Sequence, residues 1–166
     1  MLSTFETKPN PTTIMVLDLS PEVTDHLLSS QLFGRIGCAA EGKVLILPVC
    51  YLFDGQAIYG QTYEGTKTRL LRQNPTVCFE VDDVCSPLCW RSVVVQGLYE
   101  ELLGDERSYA EQRLGPGRIP PMKALGSTDE VTDASAATVV YRIRILSKSG
   151  RSETKEQRII NQYVMP

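Results

Sequence analysis

The sequence predicts a mainly β chain, a small antiparallel barrel of about six strands with two or three short helices. Three observations predict it. Apolar runs of strand length follow one another between turn signals from Gly34 onward. Period-two alternation is clear at Thr76–Asp82 and again at Val139–Ile145. Strands follow strands, without the strand–helix–strand rhythm of a parallel sheet. The 166 residues amount to about one domain.

Taken in order, residues 1–19 read as an N-terminal arm, with Pro9, Asn10, Pro11, Thr12 and Thr13 in it. Ser20-Pro21-Glu22 is a helix start, with Ser at the N-cap and Pro at the first helical position. Val23, Leu27 and Leu28 then recur at helical spacing to about Gln31. Gly34–Ala40 is a short strand and Glu41-Gly42-Lys43 its turn. Val44–Phe53 is nearly unbroken apolar sequence, as for a strand covered on both faces. Asp54-Gly55 turns the chain into a return strand, Gln56–Gln61. Thr66–Asn74 holds helix formers and stops before Pro75. Thr76–Asp82 and Trp90–Leu103 are strands, the second with a bulge expected at Gly97. Residues 104–137 are polar and read as a long loop or lid, with a helix over Asp105–Leu114. Val139–Ile145 is the last strand, and the sequence from Ser147 is polar. The domain boundaries that follow are 20–150 for the barrel and 151–166 for a C-terminal tail.

Composition narrows the function. Hydrophobic residues at 42% and charged residues at 22% suit a globular chain and not a disordered one. No apolar run approaches the roughly 18 residues of a membrane span, so no membrane partner is expected. Lys and Arg number 17 against 20 Asp and Glu, and the net charge of −3 disfavours a nucleic-acid partner. The N-terminus lacks a signal peptide's basic-then-apolar layout, which predicts a cytoplasmic protein. The cysteines are Cys38, Cys50, Cys78, Cys85 and Cys89, and Cys85 and Cys89 are expected to be plain thiols. With one histidine, His26, a Cys/His metal site is poorly supplied and no metal is expected.

The chemistry concentrates in Tyr59–Lys67, where a strand ends, glycines allow a turn and a helix begins. The first amides of a helix lack internal partners and favour phosphate. Thr62 and Thr66 add hydroxyls, and Lys67 a compact positive charge. Trp90-Arg91-Ser92 opens a buried strand with donors and a ring able to stack on a planar ligand. His26 reads as a partly exposed helix residue. Glu100 and Glu101 point to opposite faces, and Glu80 and Asp82 share one face without a visible partner.

Several of these stretches together resemble the pyridoxamine 5'-phosphate oxidase-like FMN-binding split-barrel family. They are Gly34-Arg35-Ile36-Gly37, Leu47–Tyr51, Ile58–Lys67, Leu70–Pro75, Val77–Asp82 and Trp90–Gly97. Within it the chain is most similar to the nitroimidazole-resistance branch. The resemblance implies a six-stranded antiparallel split β-barrel and a homodimer with FMN at the interface. It implies that Lys67, Thr62 and Thr66 hold the phosphate. The strand Pro48, Val49, Cys50 and Tyr51, the strand end Gly60-Gln61, and Trp90, Arg91 and Ser92 would hold the ribityl chain and ring. The implied activity is an oxidoreductase passing electrons from NADH, NADPH or another reductant to a small-molecule substrate. The alternatives are a non-catalytic flavin carrier or redox sensor, a haem-binding barrel with His26 as axial ligand, and an F420 user drawing on Arg69, Arg72 and Arg91. The Arg and Lys that the oxidases carry along the Val44–Tyr51 strand are apolar here. Gln61 stands near where the resistance branch has His. Cofactor and fold therefore carry over more directly than substrate does.

Overall fold

Residue 51 decides how the sheet closes. In the computed structural model, which describes residues 14–115 and 138–155, Val44–Phe53 forms two strands parted at Tyr51. The elements are β1 (Ile14–Asp18), α1 (Pro21–Ser30), β2 (Phe33–Ala40), β3 (Lys43–Cys50), β4 (Leu52–Phe53) and β5 (Ala57–Tyr63), then α2 (Thr66–Gln73), β6 (Thr76–Ser86), β7 (Cys89–Glu101), α3 (Gly104–Leu114) and β8 (Thr138–Lys155). Pairing is antiparallel, in the order β3-β2-β6-β7-β8-β5-β4, with β1 on the far half of β8. The two ends of that order, β3 and β4, are one stretch of chain. Its first part pairs with β2 and its last with β5, so the stretch closes the sheet on itself. Counted once, it makes six barrel strands with β2, β5, β6, β7 and β8, as the sequence predicts.

At the break the Tyr51 backbone N–H donates to the Leu32 carbonyl and the buried phenol donates to the Leu28 carbonyl at 2.7 Å. Carbonyls in the last turn of a helix have no partner within it, so Tyr51 ties α1 to the barrel by filling that need. α1 begins where the sequence predicts, the Ser20 hydroxyl accepting from the Val23 N–H. Leu27 and Leu28 from α1 and Leu70 and Leu71 from α2 enter the same core as Ile36, Phe79, Val95 and Ile143. A second cluster lies outside the barrel wall, where Ala110 and Leu114 of α3 cover Cys50, Tyr59 and Val140. The expected bulge is present, as the β7–β8 register shifts between Gln96 and Gly97.

Several expectations are refined or corrected. In the Val44–Phe53 run, Val44 and Ile46 are 73% and 69% exposed, because among the described residues no element packs on the outward face there, whereas Cys50 farther along lies beneath α3. The segment read as an arm contains β1, whose backbone pairs with Arg151–Lys155. β8 accordingly runs on through the polar residues read as a tail. Its far half binds neighbours through the backbone ladder, so its side chains need not be apolar. The helix expected over Asp105–Leu114 is present as α3, and the rest of the segment read as a lid, residues 116–137, lies outside those described. Finally, Cys85 and Cys89 form a disulfide and are not free thiols, because the β6–β7 hairpin tip brings their Cα atoms to 5.5 Å, within bridging range. Among the described residues no helix is long and apolar enough to cross a membrane.

Candidate functional site

The most unusual charge in the barrel is Lys67, in the first turn of α2. Its residue is 7% exposed, and among the described residues no carboxylate lies within ion-pair distance of it. Burial pulls its pKa down to about 8, only weakly opposed by the nearby Cys38 thiol. Cys38 is itself buried on β2, and burial pushes its own pKa up. An ammonium held out of water without a counter-anion is unfavourable, and an anionic ligand would relieve it.

The start of α2 leaves room for such a ligand. Gly65 is the N-cap and no side chain caps it from outside; a Cβ built there would meet nothing within 4 Å. The Thr68 hydroxyl turns back to accept from the Gly65 N–H at 2.9 Å. Glu64 is close by but committed elsewhere. It accepts from both Arg72 terminal nitrogens at 2.7 Å and from the Thr68 hydroxyl, and the Arg72 contact holds its carboxyl below the usual range. Thr66 is exposed at the first position of α2, and Thr62 is buried at the end of β5.

The predicted residues divide into two groups. The end of β3, the end of β5 and the start of α2 converge. Pro48 is exposed on the outward face of β3, opposite Arg35. Val49 and Tyr51 are buried in the barrel core. Cys50 faces outward beneath α3, with a thiol pKa raised by burial. Gln61 is half-buried and pairs with Val140. Gly60 serves packing, since a Cβ there would fall 2.4 Å from the Tyr141 hydroxyl. Trp90, Arg91 and Ser92 sit apart. They open β7, which β2 and β6 separate from β3 by three strand spacings, roughly 14 Å. The Trp90 indole N–H donates to Glu153 at 2.8 Å, Arg91 pairs with Asp83, and the Ser92 hydroxyl donates to Glu80 at 3.0 Å.

One cluster escaped the linear reading. Glu80 and Asp82, which share a face as predicted, both accept from Arg35 of β2, at 3.0 and 2.9 Å. The outward period of β2 was the available signal. His26 is exposed on α1. Arg69 is paired with Glu41, and Arg72 with Glu64 and Glu101.

Comparison with known proteins agrees with this architecture. The family described as pyridoxamine 5'-phosphate oxidase matches residues 20–152. The chain belongs to that family. A solved FAD-binding protein of Mesorhizobium loti is 28% identical, with 86% of this chain and 100% of that one covered at a TM-score of 0.66. A candidate 5-nitroimidazole antibiotic resistance protein of Bacteroides thetaiotaomicron, 14% identical, superposes at a TM-score of 0.62 over 85% of this chain and 89% of that one, a likeness of fold. An uncharacterized protein of Rhizobium meliloti is 28% identical over 94 residues, 57% of this chain. The match spans 62% of that relative's length. The split barrel inferred from the sequence is thus the fold of a family with flavin-binding members.

Proposed function

We propose that the protein is a flavoprotein that holds FMN by its phosphate at the α2 end of the barrel and acts as an oxidoreductase on a small organic acceptor. The buried Lys67 ammonium beside an open helix start carries this reading. A terminal phosphate is compact and doubly charged, and supplies the anion that Lys67 lacks. The exposed Thr66 hydroxyl and the first α2 amides are the further donors, and the Thr62 hydroxyl, which donates to the Tyr63 carbonyl at 3.3 Å, would have to turn to join them. Of the strands Pro48–Tyr51 and Gly60-Gln61, the exposed Pro48 and half-buried Gln61 are the side chains along which the ribityl chain would run, backed by the buried Val49, Cys50, Tyr51 and Gly60. Bound flavin supplies hydride and single-electron chemistry, with NADH or NADPH as the expected donor. The chain's own part is to bind, orient and keep water out.

Trp90, Arg91 and Ser92 open β7, three strand spacings along the sheet from β3, and lie apart from the Lys67 end in the strand order. In the homodimer of this reading a second copy presents them to this copy's Lys67. The outward face of the β2–β3 hairpin supports it, carrying exposed Phe33, Val44, Ile46 and Pro48. FAD is the second reading, favoured by the FAD-binding Mesorhizobium loti relative. The F420 alternative would draw on Arg69, Arg72 and Arg91, whose exposed ion pairs to Glu41, Glu64 and Asp83 would have to open for it.

The test is an absorbance spectrum of the purified protein, followed by acid release and chromatography of the chromophore. FMN at about one per chain supports the reading, FAD selects the second, and a colourless protein that ignores both removes it. Flavin that is reduced by NADH or NADPH and reoxidised by an acceptor in steady state marks an enzyme. Tightly bound flavin without turnover marks a carrier or sensor.

A further inference from the structure

We propose that Cys85 and Cys89 are a thiol–disulfide exchange site whose reaction partners are small thiols and their disulfides, of the glutathione class. The site is separate from the flavin reading and does not rest on it. The two cysteines close the tip of the β6–β7 hairpin, four residues apart, around Ser86-Pro87-Leu88. As a structural staple the bond is nearly redundant. Below the tip the strands are already held by a ladder from Thr76↔Leu98 to Val84↔Trp90. A cross-link stabilises least when the loop it closes is short. A bond that adds little to the fold can open and close without unfolding the protein.

Access favours the same conclusion. Cys85 is exposed and Cys89 half-buried, so an incoming thiolate reaches the Cys85 sulfur first, with Cys89 as leaving group. A mixed disulfide forms on Cys85 as the Cys85–Cys89 bond breaks. A second small thiol then displaces the Cys85 thiolate, so that the two small sulfurs leave as one disulfide and the two electrons they gave up reside in the two protein thiols. The reverse sequence reoxidises the pair. No other cysteine competes. Cys38 and Cys50 are buried, and Cys78 lies seven residues down β6, roughly 23 Å away at strand rise. The chain's single tryptophan, Trp90, follows Cys89 directly and is anchored to Glu153, which gives the site a built-in optical reporter.

The experiment equilibrates the full-length protein, carrying Cys78→Ser, with mixtures of reduced and oxidised glutathione. Acid quenching, alkylation and peptide mass spectrometry then read the state of each cysteine. The expected result is one two-electron transition in which Cys85 and Cys89 gain alkyl groups together. Trp90 emission rises in parallel as the neighbouring disulfide opens, while circular dichroism is unchanged. In Cys89→Ser, Cys85 should accumulate as the glutathione mixed disulfide. Two results would overturn the proposal: both cysteines alkylated under excess oxidised glutathione, or both protected under excess reduced glutathione while the protein stays folded. The wild-type alkylation pattern decides the matter even if Cys89→Ser fails to fold.

Discussion

Lys67 is a residue whose environment works against its own charge, and that makes its role measurable in two opposite directions. Its folded pKa of about 8 lies well below the 10.5 of a free lysine, so between those values the unfolded chain binds more protons. Stability of the ligand-free protein therefore rises with pH from about 8 to 10.5, and the penalty is fully present below 8. Lys67→Met removes the buried charge and keeps most of the stem. It should raise ligand-free stability at pH 7 by on the order of 2 kcal/mol in urea titrations. It should also weaken FMN binding by about 1.5–3 kcal/mol, the scale of a charged hydrogen bond, in a fluorescence titration. Wild-type FMN affinity should fall as pH climbs past 8. A Lys67→Met protein that is less stable and binds FMN normally would make Lys67 an ordinary core residue. Gly60 is the counterexample among the candidates. The Tyr141 hydroxyl would lie 2.4 Å from an added Cβ, so Gly60→Ala should cost about 1–3 kcal/mol of stability whether or not flavin is present.

The elements owe their positions to a few contacts that bind one to the next. Tyr51 joins β3, β4 and α1 through one phenol, buried against the Leu28 carbonyl. Tyr51→Phe should leave that carbonyl unpaired and cost about 1–3 kcal/mol in thermal or urea unfolding, with the barrel itself retained. An unchanged midpoint would mean that water replaces the phenol. The same contact shows where sequence reading stops. α1, the Asp54-Gly55 turn, α2 and the Gly97 bulge were legible because caps, turns and helix stops are local chemistry. The Asp54 carboxylate accepting from the Gln56 and Ala57 N–H groups is such a local device. The break at Tyr51 was not legible, because the run on either side is uniformly apolar and only the need to pair with two different strands interrupts it. β1 was missed for a related reason. Its partner is the polar end of β8, and backbone pairing leaves little trace in a polar sequence. In the site, the strand–glycine–helix signal led to Lys67, whereas Cys38 beside it and Arg35 beneath Glu80 and Asp82 depend on register across strands.

At the scale of the molecule the unresolved asymmetry is the outward face of the β2–β3 hairpin. Phe33, Val44 and Ile46 are each more than half exposed, and Pro48 joins them. Scattered apolar residues on a surface need no explanation, but these share one face of adjacent strands, with Ile46 opposite Gly37 and Val44 opposite Ala39. A near-continuous apolar strand is what a sheet buried on both sides requires, and among the described residues nothing covers the outward side at Val44 and Ile46. The proposed partner is a second copy, which would also bring Trp90, Arg91 and Ser92 to the Lys67 end. Ile46→Glu isolates this idea, because an exposed position should change the subunit's own fold by no more than about 0.5 kcal/mol. In sedimentation the wild type should run as a dimer and Ile46→Glu as a folded monomer. If the site needs both copies, the monomer should also lose most of its flavin, while Lys67→Met should lose flavin and stay dimeric. A wild type that is monomeric with one flavin per chain would confine the site to a single barrel and leave Trp90–Ser92 outside it.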